Sequence, residues 1–223
     1  MLLGALGDIH GAFPDARRII ERHADVPAWL CVGDIAADDG AYESLGAPVH
    51  WIHGNNDNFD AIAAKALPPD LHHIGNGTVV EVEGLRVAGL GGTFAPTWYE
   101  TAPGALPHPV KGTARATAQA DKRRHFVRED VAACMGLLDV DIFLTHEAAK
   151  PFRAFVNDRG PDAGKEQVNE VLRAMQPRLH LFGHHHRFSE QQREGVRSVG
   201  LDLVSRSYLL IDTRTLDYEH RLL

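Results

Sequence analysis

Cysteine is scarce, with Cys31 and Cys134 the only two in 223 residues. A disulfide-stapled scaffold is thereby excluded, and Cys31, inside the apolar run Trp29–Val32, reads as a buried inert thiol of a reducing, cytoplasmic protein. Long apolar runs are also missing: no stretch approaches the ~20 residues of a membrane helix, so no membrane partner is expected. The opening MLLGAL has no basic segment and meets Asp8 too early for a secretory leader. Positive charge is in deficit. Against 30 Asp and Glu stand 23 Lys and Arg, a net −7 with His neutral, which argues against an extensive nucleic-acid surface. With 44% hydrophobic residues the chain is neither disordered nor fibrous. At about 150 residues per domain it is expected to form one domain over residues 1–223, burying roughly 70% of its unfolded surface. Histidine is plentiful: there are 14, several of them clustered, and this is the first pointer to metal chemistry.

Along the chain, Leu2–Leu6, Trp29–Val32 and Val49–Ile52 are predicted strands, and Pro14–His23 and Phe59–Ala66 predicted helices. Strand, polar loop and helix, repeated three times, is the pattern of βαβ units on a parallel sheet. Thr78–Val82 and Leu85–Leu90 suggest a hairpin around Glu83-Gly84. Residues 93–118, with Pro96, Pro103, Pro107 and Pro109, read as an irregular insertion, and long loops in compact domains are often functional. Ala118–Leu138 is the longest helical pattern; Asp141–Leu144 and Arg178–Phe182 are further strands, and Gly164–Met175 a further helix. Val196–Leu201, Tyr208–Asp212 and Asp217–Leu222 look like short antiparallel strands.

Five of these strands end in polar clusters: Asp8 and His10, Asp34, Asn55, His146, and His184 with His186. The carboxyl ends of parallel strands share one rim, where ligands bind in open α/β sheets. Each cluster alone is commonplace. Gly-Asp after a strand is an ordinary turn or cap, Asn55-Asn56-Asp57 is a loop signature, and His184-His185-His186 fits a surface tract equally well. Jointly they supply the donors that two metals ~3.5–4 Å apart would need, a bridging carboxylate and about three further ligands each. Carboxylate, imidazole and amide donors suit manganese, iron or zinc rather than calcium. His23, His72, His73 and His220 read as surface or packing residues, while His53 and His108 stay open.

Gly7-Asp8-Ile9-His10-Gly11, Gly33-Asp34, Gly54-Asn55, Thr145-His146 and Gly183-His184-His185-His186, in this order, resemble the five signatures of the calcineurin-like metallophosphoesterases. The resemblance covers about residues 1–190 and is nearest to small bacterial-type members. It implies a four-layer α/β/β/α sandwich with a dinuclear centre. One ion would take Asp8, His10 and His186, the other Asn55, His146 and His184, with Asp34 bridging. The activity implied is phosphate-ester hydrolysis by a metal-bound hydroxide, with manganese expected first and iron, zinc, nickel or magnesium as alternatives. The substrate would be a phosphorylated small molecule or a nucleotide.

Two departures refine that expectation. Many family members carry His after the third-motif Asn, where it protonates the leaving group; here the residue is Asn56. An amide donates a hydrogen bond but does not transfer a proton at neutral pH. Phosphodiesters are therefore slightly favoured over monoesters, unless His53 or His108 substitutes. The Asp-Arg-Gly of protein phosphatases is also missing after Asp34. His108, Lys111 and Arg115 in the insertion, and Lys150 and Arg153 after His146, are candidates for holding the second ester group, His108 and Arg153 foremost. The alternative is a non-catalytic scaffold of the same fold. A lactamase-like or amidohydrolase enzyme would show an early His-x-His, whereas this chain has Asp-x-His early and His-x-His late. Oligomeric state is not legible.

Overall fold

A computed structural model of the chain describes residues 1–109, 120–153 and 161–223. In chain order its elements are β1 (Leu2–Leu6), α1 (Phe13–Arg22), β2 (Trp29–Cys31), β3 (Val49–Trp51), α2 (Phe59–Ala63), β4 (Leu71–His73), β5 (Val79–Val82) and β6 (Leu85–Leu90). There follow α3 (Arg128–Met135), β7 (Ile142–Thr145), α4 (Glu166–Met175), β8 (Leu179–Phe182), β9 (Ser189–Arg193), β10 (Val196–Gly200), β11 (Ser207–Asp212) and β12 (Tyr218–Leu222).

Side chains alternate across a strand, and both faces of the central strands are apolar. Leu3 and Ala5 of β1 enter one cluster and Leu6 another. Gly4 is required on the second face, because a Cβ there would lie 2.0 Å from the Trp29 ring. Strands buried on both faces form parallel sheets covered on each side. The first sheet runs β12-β11-β1-β2-β3-β4 and the second β5-β6-β7-β8-β10-β9. Neighbours β1 to β4 are parallel, as are β6, β7, β8 and β10; β11, β12, β5 and β9 pair antiparallel at the edges.

Three apolar layers hold the stack together. Leu30, Val32 and Ile52 of the first sheet meet Val87, Leu144 and Leu181 of the second. Phe13, Ala16, Ile19 and Ile20, spaced three or four apart as a helix face requires, pack α1 on Trp29 and Trp51. Val131 and Cys134 of α3, with Val168 and Leu172 of α4, pack on Ala88 and Phe143. Helices therefore flank two face-to-face sheets, the expected α/β/β/α sandwich. Each fully buried Leu, Ile, Val or Phe contributes about 1.5–3 kcal/mol of transfer free energy.

The structure departs from the sequence pattern in four places. Ala118–Leu138 is not one helix. Residues 118 and 119 lie outside the described residues; Lys122–Arg124 forms a single 3₁₀ turn capped by the Asp121 carboxylate, and only Arg128–Met135 is α-helical. Thr93 accounts for the break: its carbonyl accepts from Phe126 N at 3.2 Å and its N–H donates to Arg124 O at 2.9 Å, which draws the chain straight. No helix separates β2 from β3, where Asp39 and Asp70 carboxylates take the free N–H groups of Ala41, Leu45 and Gly46. Val196–Gly200 pairs antiparallel with β9, as expected, but its other edge pairs parallel with β8. The short β4 and polar β9 (SEQQR) carry no apolar alternation, so no pattern marks them.

His180 of β8 is fully buried, with Nε2 2.8 Å from Thr145 Oγ1 and Nδ1 2.9 Å from Ser198 Oγ. Burial pushes its pKa down to about 3, so the unfolded chain takes up a proton near pH 6.5 that the folded one refuses. Its contribution to stability is complete above that pH and falls by about 1.4 kcal/mol per unit on acidification toward the folded value. Thermal unfolding between pH 7 and 5 should therefore show a weaker pH dependence, by about one proton, in His180→Gln. Equal slopes for variant and parent would contradict the assignment.

Candidate metal centre

The rims of the two sheets meet at one place. Loops after β1, β2 and β3 bring Asp8, His10, Asp34 and Asn55 from the first sheet; loops after β7 and β8 bring His146, His184 and His186 from the second. Four of the seven sit in the left-handed region, His10, Asp34, His184 and His186 having φ of 46°, 52°, 66° and 47°. Each such residue costs about 1–3 kcal/mol and persists only where surrounding structure enforces it. Here the enforcement is visible: Ile9 N and His10 N both donate to Asp34 O, at 3.0 and 2.7 Å. Gly54 is needed because a Cβ would lie 2.1 Å from Asp34 Oδ1. The sheets are stitched together by His184 N, 3.1 Å from Asp8 Oδ2, and by His146 Nδ1–H, which donates to Val32 O at 2.8 Å.

Asp8, His10 and His186 offer donor atoms within 4.8 Å of one another, and so do Asp8, Asp34 and His146. His186 Nε2 is 3.0 Å from Asp8 Oδ2 and 3.1 Å from His10 Nε2. Asp34 Oδ2 lies between the two groups, 3.6 Å from His10 Nε2 and 3.5 Å from His146 Nε2. Asn55 Oδ1 is 3.1 Å from His146 Nε2, and the His184 ring centre is 4.9 Å from that of His146. All seven predicted rim residues are thus gathered together.

The donor chemistry fits a cation. Asp8 and Asp34 are both 1% exposed, and among the described residues their ion-pair partners are histidines alone. Buried carboxylates without a compensating charge are costly. Burial alone would raise the Asp34 pKa and lower that of His146, but each overrides the other's desolvation: Asp34 is held well below the carboxylate range and His146 well above the imidazole range. A proton on His146 occupies the place where a metal cation would sit, and metal binding would displace it. The Val32 bond keeps that imidazole's Nδ1 protonated and turns Nε2 toward the cluster. His184, by contrast, is kept neutral, its pKa pushed to about 3 by burial and then by His146.

The other expected site residues lie around this cluster. Asn56 is exposed yet committed: its backbone N–H donates to Asp34 Oδ1 at 2.7 Å and its side-chain amide to Oδ2 at 2.8 Å. His53 has Nδ1 3.2 Å from His73 Nε2 and packs edge-on against Phe59, with burial pushing its pKa to about 3. His108 is exposed and bonds Leu106 O through Nδ1 at 3.1 Å. Lys150 and Arg153 are exposed on the strand-to-helix connection after His146. Lys111 and Arg115 lie outside the described residues.

Asp57 is a site residue that the loop signature alone does not single out. It is 4% exposed and accepts from four backbone N–H groups, those of Asp34 (2.9 Å), Ile35 (3.0 Å), Ala36 (3.1 Å) and Gly54 (2.7 Å). Tyr42 OH adds a fifth bond at 3.3 Å. Burial and the neighbouring Asp34 charge push its pKa up to about 6, against the pull of those donors. The one signal in the sequence is an acidic residue two positions after a predicted ligand. Removing this acceptor in Asp57→Ala leaves several buried N–H groups unmet, and should cost about 3 kcal/mol or more in stability while weakening metal uptake. Thermal unfolding with metal analysis checks both.

Residues 1–188 match the family described as calcineurin-like phosphoesterase. An uncharacterized protein of Haemophilus influenzae is 25% identical over 198 residues, 81% of each chain. Among solved structures, TT1561 of Thermus thermophilus superposes with a TM-score of 0.67 at 17% identity, covering 99% of this chain and 98% of that one. A dimetal phosphatase from Danio rerio superposes with a TM-score of 0.58 at 13% identity, again over 99% and 98%. With the five motifs meeting at one rim of the same fold, and a family match spanning most of its length, the chain belongs to the calcineurin-like phosphoesterase family.

Proposed function

We propose that this protein, acting as a single domain in the cytoplasm, hydrolyses phosphate esters at a centre of two divalent ions, manganese first among them. Asp8, His10 and His186 would hold one ion, and Asn55, His146 and His184 the other, with Asp34 shared. The observation that carries this reading is the pair of buried carboxylates whose partners are imidazoles, with Asp34 Oδ2 at 3.6 and 3.5 Å from histidines of the two groups. The Danio rerio relative, a dimetal phosphatase, supports a two-metal reading. When bound, the ions supply positive charge for the phosphoryl oxygens and lower the pKa of water toward neutrality.

The chain's own residues orient this chemistry. The two Asn56 donors grip both Asp34 oxygens and so set the plane of the shared carboxylate. Asp57 holds the loops of Asp34 and Asn55 at a constant distance. His146 is aimed by Val32 O. Neither Asn56 nor a His53 already bonded to His73 is arranged as an obvious proton donor to a poor leaving group. Esters with good leaving groups, phosphodiesters slightly ahead of monoesters, are therefore the favoured substrates, with His108 and Arg153 as the candidates for holding their second ester group.

Rates on a nitrophenyl monoester and a bis-nitrophenyl diester, before and after chelation and after Mn²⁺ is restored, test the reading. Turnover should vanish on chelation and return with metal; equal rates in the stripped protein would sink it. Activity should climb through neutrality and be lost below about pH 5, where the imidazole and carboxylate ligands take up protons. Changing a residue that merely orients a metal ligand costs about 10–100-fold in metal affinity. Asp34→Asn, which touches both groups, should lose at least that much and bind fewer than two ions per chain. Full activity with two ions retained would refute the bridging role.

A further inference from the structure

The first sheet ends at β12, whose outer edge no strand covers among the described residues. Antiparallel ladders alternate between pairs that exchange hydrogen bonds and pairs that do not. Leu223 N donates to Arg206 O at 3.0 Å, and Asp212 N donates to Asp217 O at 2.8 Å. The β11–β12 register therefore makes Tyr208–Arg221 and Leu210–Glu219 the bonded pairs between them. Tyr218, His220 and Leu222 take the alternate positions, so their N–H and C=O groups point away from β11. Such a row is a template for one more strand. Residues 219–222 are all exposed, and Leu222, at 74%, is the most exposed large apolar side chain among the described residues.

The residues of this edge choose its partner. Charges on an edge strand ordinarily deter pairing, but here their order is self-complementary. When β12 meets β12 of a second copy antiparallel, the residues with free groups must oppose one another, which leaves three well-overlapped registers. Centring on Glu219 sets two carboxylates directly opposite, and centring on Arg221 sets two guanidiniums directly opposite; like charges so placed destabilise a sheet. Centring on His220 sets Glu219 against Arg221 of the second copy and Arg221 against its Glu219. Tyr218 then lies opposite Leu222 at both ends, and each of the three outward pairs exchanges two hydrogen bonds. Glu219 and Arg221 already bond each other within one chain, Arg221 Nε donating to Oε2 at 2.9 Å. Two residues apart, they share a face of the strand, so the paired form arranges four charges of alternating sign around the seam. On the other face, His220 and Tyr218 oppose Leu209 and Ile211 of the intersheet layer, and Phe188 lies flat on the His220 ring with centres 3.7 Å apart. Tyr218 of the second copy would cover Leu222 there. We propose that the protein forms a symmetric dimer in which β12 joins β12 of a second copy, in register about His220, and the first sheet continues across the two-fold axis.

Sedimentation equilibrium on the full chain, from about 1 μM to about 1 mM, tests the proposal. The parent should pass from monomer to dimer within that range, since a five-residue edge makes an interface at the small end of the specific class. Glu219→Arg and Arg221→Glu lie at side chains 63% and 54% exposed, so both variants should fold. Each turns two attractive cross-seam pairs repulsive and should weaken dimerisation about tenfold or more. An equimolar mixture of the two variants brings opposite charges back across the seam and should dimerise about as tightly as the parent. Losing the Glu219–Arg221 bond inside one chain could not be repaired by mixing, so the mixture separates pairing from local damage. A parent that stays monomeric throughout, single variants that dimerise as the parent does, or a mixture no more associated than its components would each overturn the proposal.

Discussion

Two carboxylates, Asp8 and Asp34, are sealed from water at the seam between the sheets with imidazoles for company. Desolvated negative charge is unstable unless positive charge or dense hydrogen bonding meets it, and most features of the rim can be read as answers to that demand. Histidines from the far sheet lean onto the carboxylates, and the N–H of His184 caps Asp8. The Asp34 charge beside it raises the proton affinity of the buried His146 imidazole. Four residues accept a left-handed backbone to complete the arrangement. The free energy for this comes from elsewhere in the molecule, chiefly the apolar layer joining Leu30 and Val32 to Leu144 and Leu181.

A third buried carboxylate makes that arrangement rigid. Asp57 gathers the N–H groups of two loops that come from different strands, so the peptide dipoles around Asp34 are oriented before any ligand arrives. Preorganised groups of this kind keep donors at a set spacing and avoid reorganisation when charge enters the site. Asn56 continues the same logic at the exposed side of Asp34 by donating to both of its oxygens. A histidine at that position would offer a transferable proton; this chain has an amide that steadies the carboxylate.

The surroundings of the centre are asymmetric in charge. Acidic groups dominate the chain as a whole, yet Arg153, Arg187 and Arg193 line one wall beyond His186.

The linear order of Asp8-x-His10, Asp34, Asn55, His146 and His184-x-His186, each at the end of an apolar run, was enough to specify the strands, their parallel arrangement and the seven rim residues. That much is local: apolar alternation and glycine next to a polar residue act within a few positions of themselves. The broken helix near Thr93, the parallel edge that Val196–Gly200 shares with β8, and strands β4 and β9 were decided by partners distant in sequence, which no local pattern encodes. Asp57 and the arginine-lined wall belong with them. An acidic loop residue acquires its role only when four N–H groups from two loops converge on it, and Ser189, Gln191 and Arg193 become a wall only once β9 is laid against β10.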